Sequence, residues 1–100
     1  MYQQLRYLGD HYEIVSPINV EVTASADSDG ILCCMSVVNL QNELVFGMGR
    51  TKRQARRMLR KLLIDYYEKL MSSDLNNYRG SEKYIYGLDK KLLEGSIAKK

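Results

Sequence analysis

Tryptophan is absent from this chain, and proline, histidine and phenylalanine each occur once. Cysteine occurs twice, side by side, at Cys33 and Cys34. Each scarcity excludes something. A single proline and no low-complexity tract argue for an ordered body. Adjacent residues on a strand point to opposite faces, so the two cysteines are poor disulfide partners. They read as reduced, half-buried small hydrophobes of an intracellular protein. One histidine, His11, without a second cysteine pair leaves a metal site short of ligands and a nucleophilic triad improbable. No glycine-rich loop precedes a lysine at P-loop spacing, and no carboxylate pair stands at a strand end in an obvious cleft. The expectation is a protein that is not an enzyme and needs no cofactor or metal. No stretch approaches the roughly 20 apolar residues of a membrane span, and the amino end does not read as a cleavable export signal. A cytoplasmic location, or a nuclear one, fits these absences.

What is present is a small core and one block of charge. The chain has 100 residues, 45% of them hydrophobic, enough for one domain with a modest interior. Its net charge of +3 is unevenly spread. Residues 1–49 carry −5, residues 50–61 carry +7 with no acid, and residues 62–100 carry +1. The basic character therefore belongs to RTKRQARRMLRK alone.

Hydropathy patterning places this block. Tyr2 to Leu8 is expected to form a short first helix with Leu5 and Leu8 inward, and His11 to Val15 is extended. Ile18, Val20, Val22 and Ala24 alternate with polar residues, the period of a half-buried strand. A turn at Ser25 to Gly30 leads to a second strand, Ile31 to Val38, apolar on both faces. A turn at Asn39 to Asn42 leads to a third, Glu43 to Met48, closing an antiparallel meander. After Gly47-Met48-Gly49, Thr51 suits a helix N-cap. Ala55, Met58, Leu59, Leu62, Leu63, Tyr66 and Leu70 then form one helical stripe to about Met71. The bases lie off that stripe. Residues 72–100 read as an extension: a linker, a short strand at Glu82 to Tyr86 and a helical turn or two from Leu88 to Leu93.

The junction Gly47, Gly49, Thr51, Lys52, Arg53, Ala55 and Arg56 resembles the motif of the double-stranded RNA-binding domain. The likeness covers about residues 1–71 and implies an α+β fold of order α-β-β-β-α, with two helices on one face of a three-stranded antiparallel sheet. It implies that Thr51, Lys52, Arg53, Arg56 and Arg60 meet RNA phosphates at a helix start, where free N–H groups favour anions. In that family two further regions reach the flanking minor grooves, so the domain spans about 16 base pairs. Here the corresponding loop, Ser25 to Gly30, carries two aspartates, and Gln3 or Gln4 is the remaining candidate on the first helix. Leu59-Arg60 replaces an alanine pair of the family pattern.

The mixture, with the segment GILCCMSVV at Gly30 to Val38, is similar to the third-domain type found in partners of Dicer-type ribonucleases. That likeness implies a module of RNA silencing that binds protein, either its own copy as a homodimer or a helix of the nuclease. Leu32, Cys34, Leu44, Val45 and Phe46 would meet the partner by strand addition at a free edge. Duplex RNA binding is the alternative, and assembly into a ribonucleoprotein a third. The tyrosines suit core or interface better than base stacking, because residues 47–61 contain no aromatic.

Overall fold

The computed structural model describes every residue, Met1–Lys100. Its order is β1 (Tyr2–Leu5), β2 (Tyr12–Ile14), β3 (Ile18–Asp27), β4 (Gly30–Val37), β5 (Phe46–Gly49), α1 (Lys52–Ser72), a 3-10 turn at Leu75–Asn77, α2 (Gly80–Glu94) and β6 (Ile97–Lys99). The architecture is α+β. A four-stranded sheet runs β1-β3-β4-β5, with every neighbouring pair antiparallel, and β2 pairs with β6 in a separate ribbon.

The long β3–β4 hairpin forms the centre. Ile18, Val20 and Val22 of β3 face Cys33, Met35 and Val37 of β4 on the buried side, in the register Val20↔Val37 and Val22↔Met35. Asn19, Glu21 and Thr23 alternate outward, as period-two patterning demands. Asp27 pairs with Gly30 across a two-residue turn, where Gly30 adopts φ +119°, a conformation other residues rarely reach.

The expected first helix is a strand instead. Tyr2 to Leu5 pairs with β3 in the register Tyr2↔Glu21 to Leu5↔Ile18, and Met1 extends the ladder by accepting from the Val22 N–H at 2.7 Å. A seven-residue segment has too little length to hold a helix in isolation. The open flank of a ten-residue strand offers it hydrogen bonds at once. Leu5 and Leu8 still face inward, at 3% and 1% exposure. The third meander strand is also shorter than expected. Glu43 to Val45 belong to the connection, and β5 begins at Phe46.

Helix α1 crosses the buried face of the sheet on Ala55, Leu59, Leu63, Tyr66, Tyr67 and Leu70. Each fully buried leucine contributes about 1.5–3 kcal/mol from removal of its side chain from water. Met58, counted in the expected stripe, is instead 38% exposed. The glycines before α1 act through close approach. A Cβ at Gly47 would stand 1.9 Å from the Ala55 carbonyl oxygen, and one at Gly49 would stand 2.4 Å from the Gln54 Cβ. Neither has positive φ. The Gly-x-Gly spacing thus lets helix backbone rest against strand backbone, rather than supplying an unusual turn.

Residues 80–99 pack against the rest of the chain. The expected strand at Glu82 to Tyr86 lies within α2, and Leu93 and Ile97 belong to the same core as β3, β4 and α1. α2 packs on α1 and β6, near the ends of β3 and β4, so only α1 lies across the main sheet. Its anchor is Asp89, fully buried. The Asp89 carboxylate accepts from the Gln41 N–H at 2.7 Å, the Asn42 N–H at 3.0 Å and the Tyr66 hydroxyl at 2.7 Å. One side chain thereby ties α2 to the β4–β5 connection and to α1. Tyr86 packs edge-on against Tyr66 and Tyr78 beside it.

Candidate nucleic-acid interface

The basic block occupies the opening turns of α1, directly after the last strand of the main sheet. Thr51 is its N-cap, with extended backbone and a hydroxyl that accepts from the Gln54 N–H at 3.1 Å. The Gln54 side chain accepts from the Arg50 N–H at 2.8 Å, so one otherwise free donor in the first turn and one just before the helix are satisfied. The first turn holds no acidic residue.

At 100° per residue, Lys52, Arg53, Arg56, Arg57, Arg60 and Lys61 spread over about half the circumference of α1. Their Cα positions span nine rises, about 14 Å of helix axis. Lys52, Arg53, Arg57 and Lys61 are exposed, whereas Arg56 and Arg60 are half-buried. None of the six has a carboxylate within 4.0 Å.

Arg50 behaves differently. Its guanidinium meets Asp27 at 3.1 Å and Asp29 at 3.9 Å, both at the tip of the β3–β4 hairpin. The two aspartates of the turn thus share one guanidinium, and the hairpin tip keeps an excess of one negative charge. The hairpin tip is turned toward the helix start by the same contact.

Arg56 and Arg60 reach the opposite side, toward β1. Arg56 donates to the Gln3 side-chain oxygen at 3.1 Å, and Arg60 lies over the Tyr7 ring, 5.5 Å from its centre. With Gln4 and Arg6 these residues line an open cleft of about 490 Å³. The Tyr7 hydroxyl donates to Asp10 at 2.7 Å, and chiefly that bond raises its pKa above the usual phenol range. Arg6 and Tyr7, not foreseen from the sequence, complete this surface together with Gln3, which the sequence had offered as a candidate. Gln3 and Gln4 sit on a strand, so neither presents a first helix to a minor groove.

The residues expected to meet a protein partner divide three ways. Leu32, Cys34 and Phe46 are half-buried and share the sheet face opposite α1, where Met48 stands beside Cys34. Leu44 is 80% exposed but belongs to the turn before β5. Val45 corrects the expectation: it is buried in the core at 7% exposure and presents no surface. β5 does form one edge of the main sheet. No helix is long and apolar enough to cross a membrane.

The chain matches no protein-family model, no curated protein and no solved structure.

Proposed function

We propose that this is a non-catalytic nucleic-acid-binding module that grips the phosphates of duplex RNA along the outer side of α1. One observation carries the reading: six cations on one half of a helix, none compensated by an acid of the protein itself. Like charges held this close repel one another, and an external polyanion relieves that cost. The dimensions agree. A DNA duplex carries one phosphate per about 1.7 Å of axis, and the shorter rise of an A-form RNA duplex spaces its phosphates at least as closely along the basic face. Duplex is favoured over single strand because the outer side of the basic segment carries no aromatic platform for unstacked bases. Thr51, Lys52, Arg53, Arg56 and Arg60 are the contact residues of this reading. The strand at residues 2–5 removes the helical minor-groove contact of the RNA-binding family, so the grip is electrostatic rather than sequence-reading.

The test is the salt dependence of duplex RNA binding by the wild-type chain and by Lys52→Ala/Arg53→Ala/Arg56→Ala. Each phosphate neutralised contributes about 0.9 to the slope of log affinity against log salt. The triple variant is expected to lose about 2.7 of that slope and at least tenfold in affinity at low salt. An unchanged slope defeats the proposal.

A second reading rests on a separate observation. β5 is an unpaired edge, flanked on the outer sheet face by Leu32, Cys34, Phe46 and Met48. Such an edge accepts an added strand from a protein partner, whether a second copy or a segment of a nuclease. Phe46→Asp is expected to abolish self-association in sedimentation without unfolding the chain. A wild-type chain that sediments as a monomer at high micromolar concentration removes the homodimer.

A further inference from the structure

The cleft between β1 and α1 differs from the rest of the basic face. Lys52, Arg53, Arg57 and Lys61 project into solvent, suited to one phosphodiester charge apiece. Arg6, Arg56 and Arg60 instead line a single recess of about 490 Å³. No carboxylate lies within 4.0 Å of any of the three. Their neighbours in the recess are uncharged: the amides of Gln3 and Gln4, whose N–H groups can donate, and the Tyr7 phenol, whose hydrogen is already given to Asp10. Arg56 gives one N–H to Gln3 and Arg60 rests on Tyr7, contacts that hold both side chains in place and leave most of their fork donors free. A diester phosphate brings one negative charge and is matched by one arginine. Three guanidiniums around one recess match a group with more charge and more acceptor oxygens.

We infer that the Arg6–Arg56–Arg60 cleft is a receptor for a phosphate monoester, which carries close to two negative charges and three terminal oxygens at neutral pH. Two sources offer that chemistry: the phosphorylated end of a nucleic-acid strand, and a free nucleoside monophosphate. The inference builds on the nucleic-acid reading of α1 but uses a residue outside it, Arg6 on the segment after β1. A strand end held here would lie at one side of the basic face, with the following phosphates free to run along α1.

The experiment has two arms on the full chain. The first measures anisotropy of duplex RNA of one sequence, ending in a phosphate or a hydroxyl. The phosphorylated duplex is expected to bind about tenfold more tightly, the worth of one added charge-assisted hydrogen bond. Arg6→Gln is expected to erase the difference between the two ends. The second arm titrates adenosine monophosphate and inorganic phosphate while following the Gln3 and Gln4 amide resonances and the Arg6 guanidinium by nuclear magnetic resonance. Saturable shifts in wild type that vanish in Arg6→Gln support the receptor. If they occur while the two duplex ends bind alike, the ligand is the free nucleotide. Equal binding of both ends together with no saturable shifts overturns the inference, and so does an end preference that survives Arg6→Gln. Hydroxyl-ended duplex that fails to bind while the monophosphate binds removes the function proposed for α1 and leaves the cleft standing.

Discussion

The two helices handle charge in opposite ways. The functionally suggestive charges of α1 lie at its opening turns, outside the core, and touch no acid of the protein. The decisive charge of α2 is one carboxylate, Asp89, with no exposure and three hydrogen bonds to its own fold. The contrast separates two uses of an ionisable side chain. A buried group must be satisfied internally, or the fold carries the full penalty of its desolvation. An exposed cation costs little to leave unpaired, so a dense set of them is informative only when it is also uncompensated. Asp89 explains how the carboxyl-terminal third is attached, and the α1 cations bear on what the surface does.

The comparison is broken most severely at Gly47, which underlies α1. Any side chain there enters the Ala55 carbonyl oxygen and the Leu59 N–H, both backbone atoms that cannot rotate away. Gly47→Ala is expected to lift α1 from β5 and to cost on the order of 4 kcal/mol or more. Chemical denaturation reads this as a large fall in midpoint. Wild-type stability would show that α1 does not rest on β5 as described.

Asp89→Ala comes next. It strands the Gln41 and Asn42 N–H groups and the Tyr66 hydroxyl, for a cost of about 3 kcal/mol or more. Hydrogen exchange should localise the loss to α2, β6 and the β4–β5 connection, while the amides of α1 opposite β5 stay protected. The same site gives a pH dependence. Burial first, and then the hydrogen bond to Asp89, push the Tyr66 phenol well above its usual value. The folded chain therefore keeps a proton that the unfolded chain releases above about pH 10. Stability from this group is complete below that pH and falls as pH rises beyond it. Tyr66→Phe is expected to flatten the decline, and an unaltered alkaline slope would contradict the assignment.

These two sites also mark where sequence stops being legible. The α1 stripe, its Thr51 cap and the β3–β4 hairpin could be read because each is a local pattern repeated over many residues. β1 could not, since Tyr2 to Leu5 is a strand only through its pairing with β3. α2 was hidden by Gly80, Gly87 and the Ser-Asn-rich approach, although Ile85, Asp89, Leu92 and Leu93 do recur at helical spacing. The aspartate within that stripe carries no local mark of burial, and the fold makes it the anchor. Val45 was misplaced because the strand was expected to run from Glu43, whereas β5 begins three residues later, at Phe46, and Val45 turns into the core from the connection before it. Of the candidate interface, the helix start was legible. The contribution of Arg6 and Tyr7 was not, because it depends on where α1 lies relative to β1, and Gln3 was expected on a helix rather than on its strand.

A smaller effect on the fold, and a sharper test of the contrast, comes from the exposed cations themselves. Lys52→Ala/Arg53→Ala/Arg56→Ala should leave the thermal midpoint nearly unchanged, within about 0.5 kcal/mol for each exposed position. Relief of mutual repulsion offsets the lost contact between Arg56 and Gln3. A large destabilisation would mean that these charges serve the fold after all, and the proposed grip on phosphate would lose its main support.

Thr51 joins the two halves of the comparison, since it is structural and sits inside the basic face. Thr51→Ala removes the acceptor for the Gln54 N–H and should cost about 1 kcal/mol, whereas Thr51→Gly should cost only a few tenths on the cap-residue scale. If the hydroxyl acts only as a cap, both variants lose duplex RNA affinity no more than their small fraying of α1 requires. If it also donates to a phosphate, both lose the same additional affinity, because neither retains the hydroxyl. Thr51→Ser keeps the cap and the donor together and is expected to match wild type in both stability and RNA affinity. Wild-type stability with weakened RNA affinity would show that the methyl group, and not the hydroxyl alone, carries the Thr51 contribution to binding.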